Sequence, residues 1–173
     1  MPHEINDSAP TNLPEVVDGK NNLLGVFDKK TIRGTTLFYR AIAVLVRSKK
    51  TNRILLRKTQ QTLFDFTFKT VHEYQKSSEE LIESTAVQLL GEKPSQIREI
   101  GTQQPENDRN SNFTTFYEIC YSDRFLSQAV RQDIFSLQHE SEFISLCHYY
   151  PQDIDPLLHK AVMGIYHLKS EPN

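Results

Sequence analysis

Apolar and polar positions follow two rhythms along this chain. From Leu37 to Arg47 the residues are apolar on both faces, with Ala41-Ile42-Ala43-Val44-Leu45-Val46 unbroken, which is the pattern of a central strand covered on two sides. The polar turn Ser48 to Asn52 leads into a second strand, Ile54-Leu55-Leu56-Arg57. Upstream, Glu15 to Asp18 and Leu23 to Phe27 flank the turn Gly19-Lys20-Asn21-Asn22 and predict a small hairpin, followed by a short helix from Asp28 to Ile32. Phe64 to Val71 starts with strict alternation, which places Phe64, Phe66 and Phe68 on one face and Asp65, Thr67 and Lys69 on the other. The rhythm then lengthens. Ser77 and Glu80 have the spacing of a capping box, Leu81, Ile82, Thr85, Ala86, Leu89 and Leu90 form a stripe at helical period, and Gly91 occupies the C-cap position. Ile97 to Gly101 and Phe113 to Tyr121 read as strands joined by a polar loop, and Phe143 to Tyr150 reads as another strand. Pro151 to Lys169, with Ile154, Leu157, Leu158, Ala161, Val162, Ile165 and Tyr166 on one side, predicts a terminal amphipathic helix. The pattern as a whole predicts an α/β (α+β) sandwich, a mixed central sheet with helices on both faces.

Composition refines this picture. Residues 1–13, crowded with Pro, Asn and Asp, read as a disordered tail, leaving 14–170 as a single domain. A chain of 173 residues with 38% hydrophobic content is large enough to bury a core without metals or cross-links. Cys120 and Cys147 both sit in apolar, strand-like runs, which predicts buried thiols in a reducing compartment, and hence a cytoplasmic protein. The longest apolar run falls far short of the roughly 20 residues that a membrane helix needs, and no membrane role is expected. The net charge of −2 conceals a basic run between Asp28 and Lys58. There Lys29, Lys30, Arg33, Arg40, Arg47, Lys49, Lys50, Arg53, Arg57 and Lys58 face only one acid, so RNA or a protein is a candidate partner for this lobe.

Several segments together carry a family resemblance. Val17-Asp18-Gly19-Lys20-Asn21-Asn22-Leu23-Leu24-Gly25, then Lys29 and Lys30, then Tyr39-Arg40-Ala41 follow one another as an opening hairpin, a basic stretch and the start of a central strand. Further on come Ile54-Leu55-Leu56-Arg57-Lys58, Phe64-Asp65-x-Thr67, Leu137-Gln138-x-Glu140-x-Glu142-Phe143 and Tyr150-Pro151-Gln152-Asp153-Ile154. In this order they resemble the Nudix hydrolase superfamily, particularly the isopentenyl-diphosphate isomerase-like branch, with Tyr39 standing where that branch has His. The resemblance implies a Nudix-like sandwich and a cleft for a diphosphate compound. It places Arg40, Arg57, Lys58, Asp65 and Thr67 as ligand-binding residues.

The family's signature box reads Gly, five residues, Glu, seven residues, then Arg-Glu-apolar-x-Glu-Glu-x-Gly, and its carboxylates hold Mg²⁺ or Mn²⁺ to activate water. Aligned on the apolar stripe and on Leu90-Gly91, the box positions here are Lys69, Thr70, Lys76, Ser84, Thr85, Gln88 and Leu89. None is a carboxylate. A register shifted by three residues brings in Glu79 and Glu92 but still lacks two metal ligands. Glu73, Glu79, Glu80, Glu83, Glu140 and Glu142 are the nearby acids, of which Glu142 and then Glu73 are the outside candidates for a catalytic role. Glu79 and Glu80 also suit a helix N-terminus on their own account. His72 lacks a recognised partner, and His139, His148 and His159 lack zinc spacing. The chain is therefore expected to bind a phosphorylated small molecule or to act as an interaction module without a metal cofactor. The alternative is a Mg- or Mn-dependent hydrolase of nucleoside-diphosphate-linked compounds that uses non-standard carboxylates.

Overall fold

The computed structural model describes residues 13–27, 37–105, 112–166 and 168. Its axis is β3 (Phe38–Ser48), which the apolar run over both faces predicts; β1 and β2 are the hairpin strands Glu15–Val17 and Leu23–Val26. One edge of β3 pairs in parallel with β7 (Asn112–Tyr121), from Tyr39 opposite Asn112 to Ser48 opposite Tyr121. The other edge is divided among three short antiparallel partners. β1 pairs at Phe38 and Tyr39, β5 (Phe68–Val71) at Ala41 to Val44, and β4 (Arg53–Arg57) at Val46 and Arg47. Outside these lie β2 next to β1, β6 (Gln96–Gln103) next to β7, and β8 (Phe135–His139) next to β4. Among the described residues this makes one mixed sheet of eight strands.

Helices cover both faces, as the double-sided apolar pattern of β3 requires. On one face α1 (Ser78–Leu90) and α2 (Asp123–Ala129) bury Leu81, Ile82, Ala86 and Leu126 against Ile42, Val44, Val46 and Phe68. On the other, α3 (Glu140–Tyr149) and α4 (Pro156–Gly164) bury Phe143, Cys147, Leu158 and Ala161 against Ala43, Leu45, Phe66 and Phe116. Side chains of this size each contribute roughly 1.5–3 kcal/mol when fully buried. The capping box of α1 forms as its spacing predicts: Glu80 N–H donates to Ser77 Oγ and Ser77 N–H to Glu80 Oε2, while Gly91 ends the helix at φ 91°. Among the described residues no helix is long and apolar enough to cross a membrane. The predicted helix at Asp28 to Ile32, with Lys29, Lys30 and Arg33, lies outside the described residues.

Three expectations are corrected. Phe143 to Tyr150 is not a strand but α3, with Phe143 and Cys147 buried one helical turn apart. A short apolar run fits either period, and here the strand is the segment just before it, β8. Cys147 is accordingly a helix residue, and burial pushes its thiol up to about 11. Second, Phe64, Phe66 and Phe68 do not share a face. Phe64 and Phe66 join the α3/α4 core, and Phe68 joins the α1/α2 core. The chain changes layers at Thr67, whose fully buried hydroxyl takes over a ladder position between β5 and β4. Val46 N–H donates to Thr67 Oγ1 at 2.9 Å, and the hydroxyl donates to the Leu55 carbonyl. Third, the terminal helix is broken in two, a 3₁₀ turn Pro151–Asp153 and then α4, because Asp155 caps α4 through the Leu157 and Leu158 N–H groups and Pro156 opens it.

A buried ion cluster fastens α3 to the sheet. Arg47 of β3 donates to Glu118 of β7 at 2.8 Å and to Glu140 at the first position of α3, and Arg98 of β6 closes on Glu118 at 3.1 Å. Glu140 is fully buried, so each partner depends on the other's charge. Replacing Arg47 with Met is expected to cost about 3–5 kcal/mol in urea unfolding, because the fully buried Glu140 loses the Arg47 charge, while Glu118 keeps Arg98. Thr67→Val should cost about 1–3 kcal/mol by stranding the Val46 N–H, and Thr67→Ser, which keeps the hydroxyl, should recover most of it.

Candidate functional site

Lys69 is the residue that the sequence resemblance expects at the start of the signature box. It lies opposite Ala43 on the α3/α4 face of the sheet. Its ammonium stands 3.2 Å from Asp65 Oδ2 and 3.6 Å from Asp155 Oδ2. Both aspartates are positioned by backbone. Asp65 exchanges two backbone hydrogen bonds with Arg57, and its Oδ1 accepts from the Phe66 N–H at 2.7 Å. Asp155 is held by its cap on α4 and by a backbone bond to the Phe64 carbonyl. Burial raises the Asp65 pKa above its ordinary 3.8, the Lys69 charge opposing that and Asp155 adding to it.

Two cavities meet at this cluster. The first, about 580 Å³, is lined by Arg57, Lys58, Thr59, Asp65, Lys69 and Asp133. The second, about 670 Å³, lies on the far side of Lys69, between the sheet and the start of α4. Its walls include Tyr39, Ala41, Val71, Gln103, Thr114 and Lys160.

The structure brings some of the sequence candidates together and disperses others. Arg57, Lys58 and Asp65 share the first cavity. Thr67 is enclosed in the sheet. Arg40 is anchored internally: it donates to Glu15 at 2.8 Å and to the Asn21 side chain and carbonyl, pinning the β1–β2 hairpin to β3. Glu142 is exposed on α3, and Glu73 pairs with Lys76 at 2.7 Å. On α1, Ser84 and Gln88 are exposed and Thr85 and Leu89 half-buried, while Glu83 reaches Lys93 and Glu79 and Glu92 lie exposed at or beyond the ends. His72 Nδ1 lies 3.1 Å from Glu15. Among the described residues no three His, Cys, Asp or Glu side chains are grouped to hold a metal ion. Sequence reading missed Gln103, Thr114, Asp155 and Lys160. The one signal for them was Thr114, a polar residue on the face of the strand that also carries Phe116.

No family model matches the chain, and no curated protein does. Solved structures do. The crystal structure of DR0079 from Deinococcus radiodurans superposes with a TM-score of 0.66 at 12% identity, over 90% of this chain and 100% of that one. The solution structure of DR0079, described as a hypothetical Nudix protein, matches at a TM-score of 0.41 and 13% identity, over 66% of this chain and 71% of that one. The fold is Nudix-like. At such identity the likeness concerns the fold alone, and the chemistry of this chain follows from its own side chains.

The raised Asp65 pKa sets a sign. The folded state holds this proton more tightly than the unfolded one, so the associated stability is present at low pH and is lost as pH rises from about 3.8 through the folded value. Asp65→Asn, which retains an acceptor for the Phe66 N–H, should remove that loss. Its melting temperature should gain on the wild type across the same window, and parallel melting curves from pH 3.5 to 7 would contradict the assignment.

Proposed function

We propose that this chain is a Nudix-fold protein that binds a phosphorylated small molecule without metal-dependent hydrolysis. The observation that carries the reading is the Lys69 ammonium, held by Asp65 and Asp155 at the meeting of two cavities with Arg57 and Lys58 on one side. These three cations can take a phosphate by charge-assisted hydrogen bonds, with Arg57 offering a bidentate fork and the lysines point charges. The role that a divalent ion plays in the hydrolases, neutralising phosphate oxygens, falls here to resident side chains. No carboxylate cluster stands at the box positions to activate water, so the chain is a pseudoenzyme in this reading. The opening hairpin, whose sequence is similar to that of isopentenyl-diphosphate isomerase relatives, adds isoprenoid diphosphates to the ligands worth testing.

The basic run from 28 to 58 does not form one patch among the described residues. Arg40 and Arg47 are spent on internal ion pairs, Lys49, Lys50 and Arg53 are exposed at the β3–β4 turn, and Arg57 and Lys58 lie at the other end of β4. This separation favours a small anion at Arg57 and Lys58 over a nucleic acid strand tracking the whole run.

Thermal-shift titration with nucleotides, sugar nucleotides and isoprenoid diphosphates in the presence of EDTA tests the proposal. A ligand at 100 times its Kd should add about 2.7 kcal/mol of stability. The shift should disappear in Arg57→Ala and Lys58→Ala, whose unliganded melting points stay near that of the wild type. Robust phosphate release from any of these compounds with Mg²⁺ or Mn²⁺ would overturn the non-hydrolytic reading.

A further inference from the structure

We infer that Gln103 and Thr114 form a recognition pair that selects phosphorylated ligands whose uncharged body carries N–H or O–H donors. This inference rests on the binding reading above. Strand register places Val71, Ala41, Thr114 and Gln103 directly opposite one another across β5, β3, β7 and β6. Residues paired in this way point to the same face, so the four make one row across the floor of the 670 Å³ cavity that all of them line. The methyl group of Ala41 leaves the middle of the row low, and its neighbours define the chemistry.

Thr114 and Gln103 are 2% and 9% exposed, yet Thr114 Oγ1 and Gln103 Oε1 have no hydrogen-bond partner among the described residues. A buried polar atom without a partner destabilises the fold that contains it, and native structures hold few of them. Two neighbours on one cross-strand row of one cavity therefore offer hydrogen-bonding positions that a molecule entering the cavity can fill. The carbonyl oxygen of Gln103 accepts, and the Thr114 hydroxyl both donates and accepts. Complementary ligand groups are amide N–H or hydroxyl groups, flanked by modest apolar surface to match Val71, Ala41 and Leu157. Lys69 borders both cavities, so a phosphate held there by Lys69, Arg57 and Lys58 would direct the rest of the molecule over this floor. An isoprenoid chain offers this floor no donor, and inorganic diphosphate offers it no body at all.

Calorimetric titration of inorganic diphosphate, isopentenyl diphosphate and uridine diphosphate glucose separates the possibilities. The wild type should bind uridine diphosphate glucose at least tenfold more tightly than the other two. Thr114→Val, close to isosteric, should erase most of that preference while leaving inorganic diphosphate affinity unchanged, and Gln103→Leu should act in the same direction. The unliganded Thr114→Val protein should melt at the wild-type temperature or higher, since a methyl group replaces an unpaired hydroxyl. A lower melting temperature with unchanged selectivity would assign the hydroxyl a structural role and overturn the inference. If the three probes bind equally well and Arg57→Ala weakens them all, phosphate binding stands and the recognition pair fails. If none of the three binds, both fail.

Discussion

Hydrogen-bond satisfaction along the divided edge of β3 is the constraint on which the rest of the structure depends. β3 meets a single parallel partner on one side, whereas the other side is shared by β1, β5 and β4, and each junction between short partners threatens to leave buried backbone groups unpaired. Thr67 closes the junction between β5 and β4 with its side chain. To do so the chain must pass between the layers there. That passage sends Phe66 to stack on Phe116 at 5.7 Å in one core and Phe68 into the other. It also turns Lys69 toward the face where Asp65 and Asp155 wait. One buried hydroxyl thus links the continuity of the sheet to the position of the cation proposed to hold a ligand.

Charge is used differently at the two ends of β3. Toward its end, Arg47, Glu118 and Glu140 are withdrawn from water and serve to fix α3 on the sheet. Near its start, Arg40 ties down the hairpin. The Lys69 cluster lies between them and is less enclosed, with the lysine side chain 43% exposed and two cavities opening on it. A cation that is held in place but still reaches solvent is available to a ligand, whereas Arg47 is not. Lys69 therefore places a solvent-reaching charge between the two cavities without disturbing the core.

The two cavities that meet at Lys69 differ in their linings. Arg57 and Lys58 stand in the cavity on one side of Lys69, and Gln103 and Thr114 line the cavity on the other, together with Lys160. α4, anchored by the Asp155 cap and by the His159 contact to the Cys147 carbonyl at 2.9 Å, forms the wall of the larger cavity. A phosphate and an organic body attached to it would each meet the surface suited to it.

Local periodicity and caps determined much of this protein by sequence alone. β3, the hairpin before it, β4, β6, β7 and α1 lie where the pattern puts them, and the Ser77–Glu80 box and Gly91 mark the ends of α1, because such signals are complete within a few residues. The likeness to Nudix sequences led to the fold. What only the tertiary structure decided involves partners distant in sequence. The face taken by Phe68 depends on Thr67 meeting β3 and β4. The helical state of α3 depends on Phe143 and Cys147 finding the sheet and on Glu140 finding Arg47, 93 residues away. Arg40 reads as a ligand residue by motif, and its contacts to Glu15 and Asn21 appear only once the hairpin folds against β3. Gln103 and Thr114 carry no motif, since strand register, a property of paired chains, is what sets them side by side.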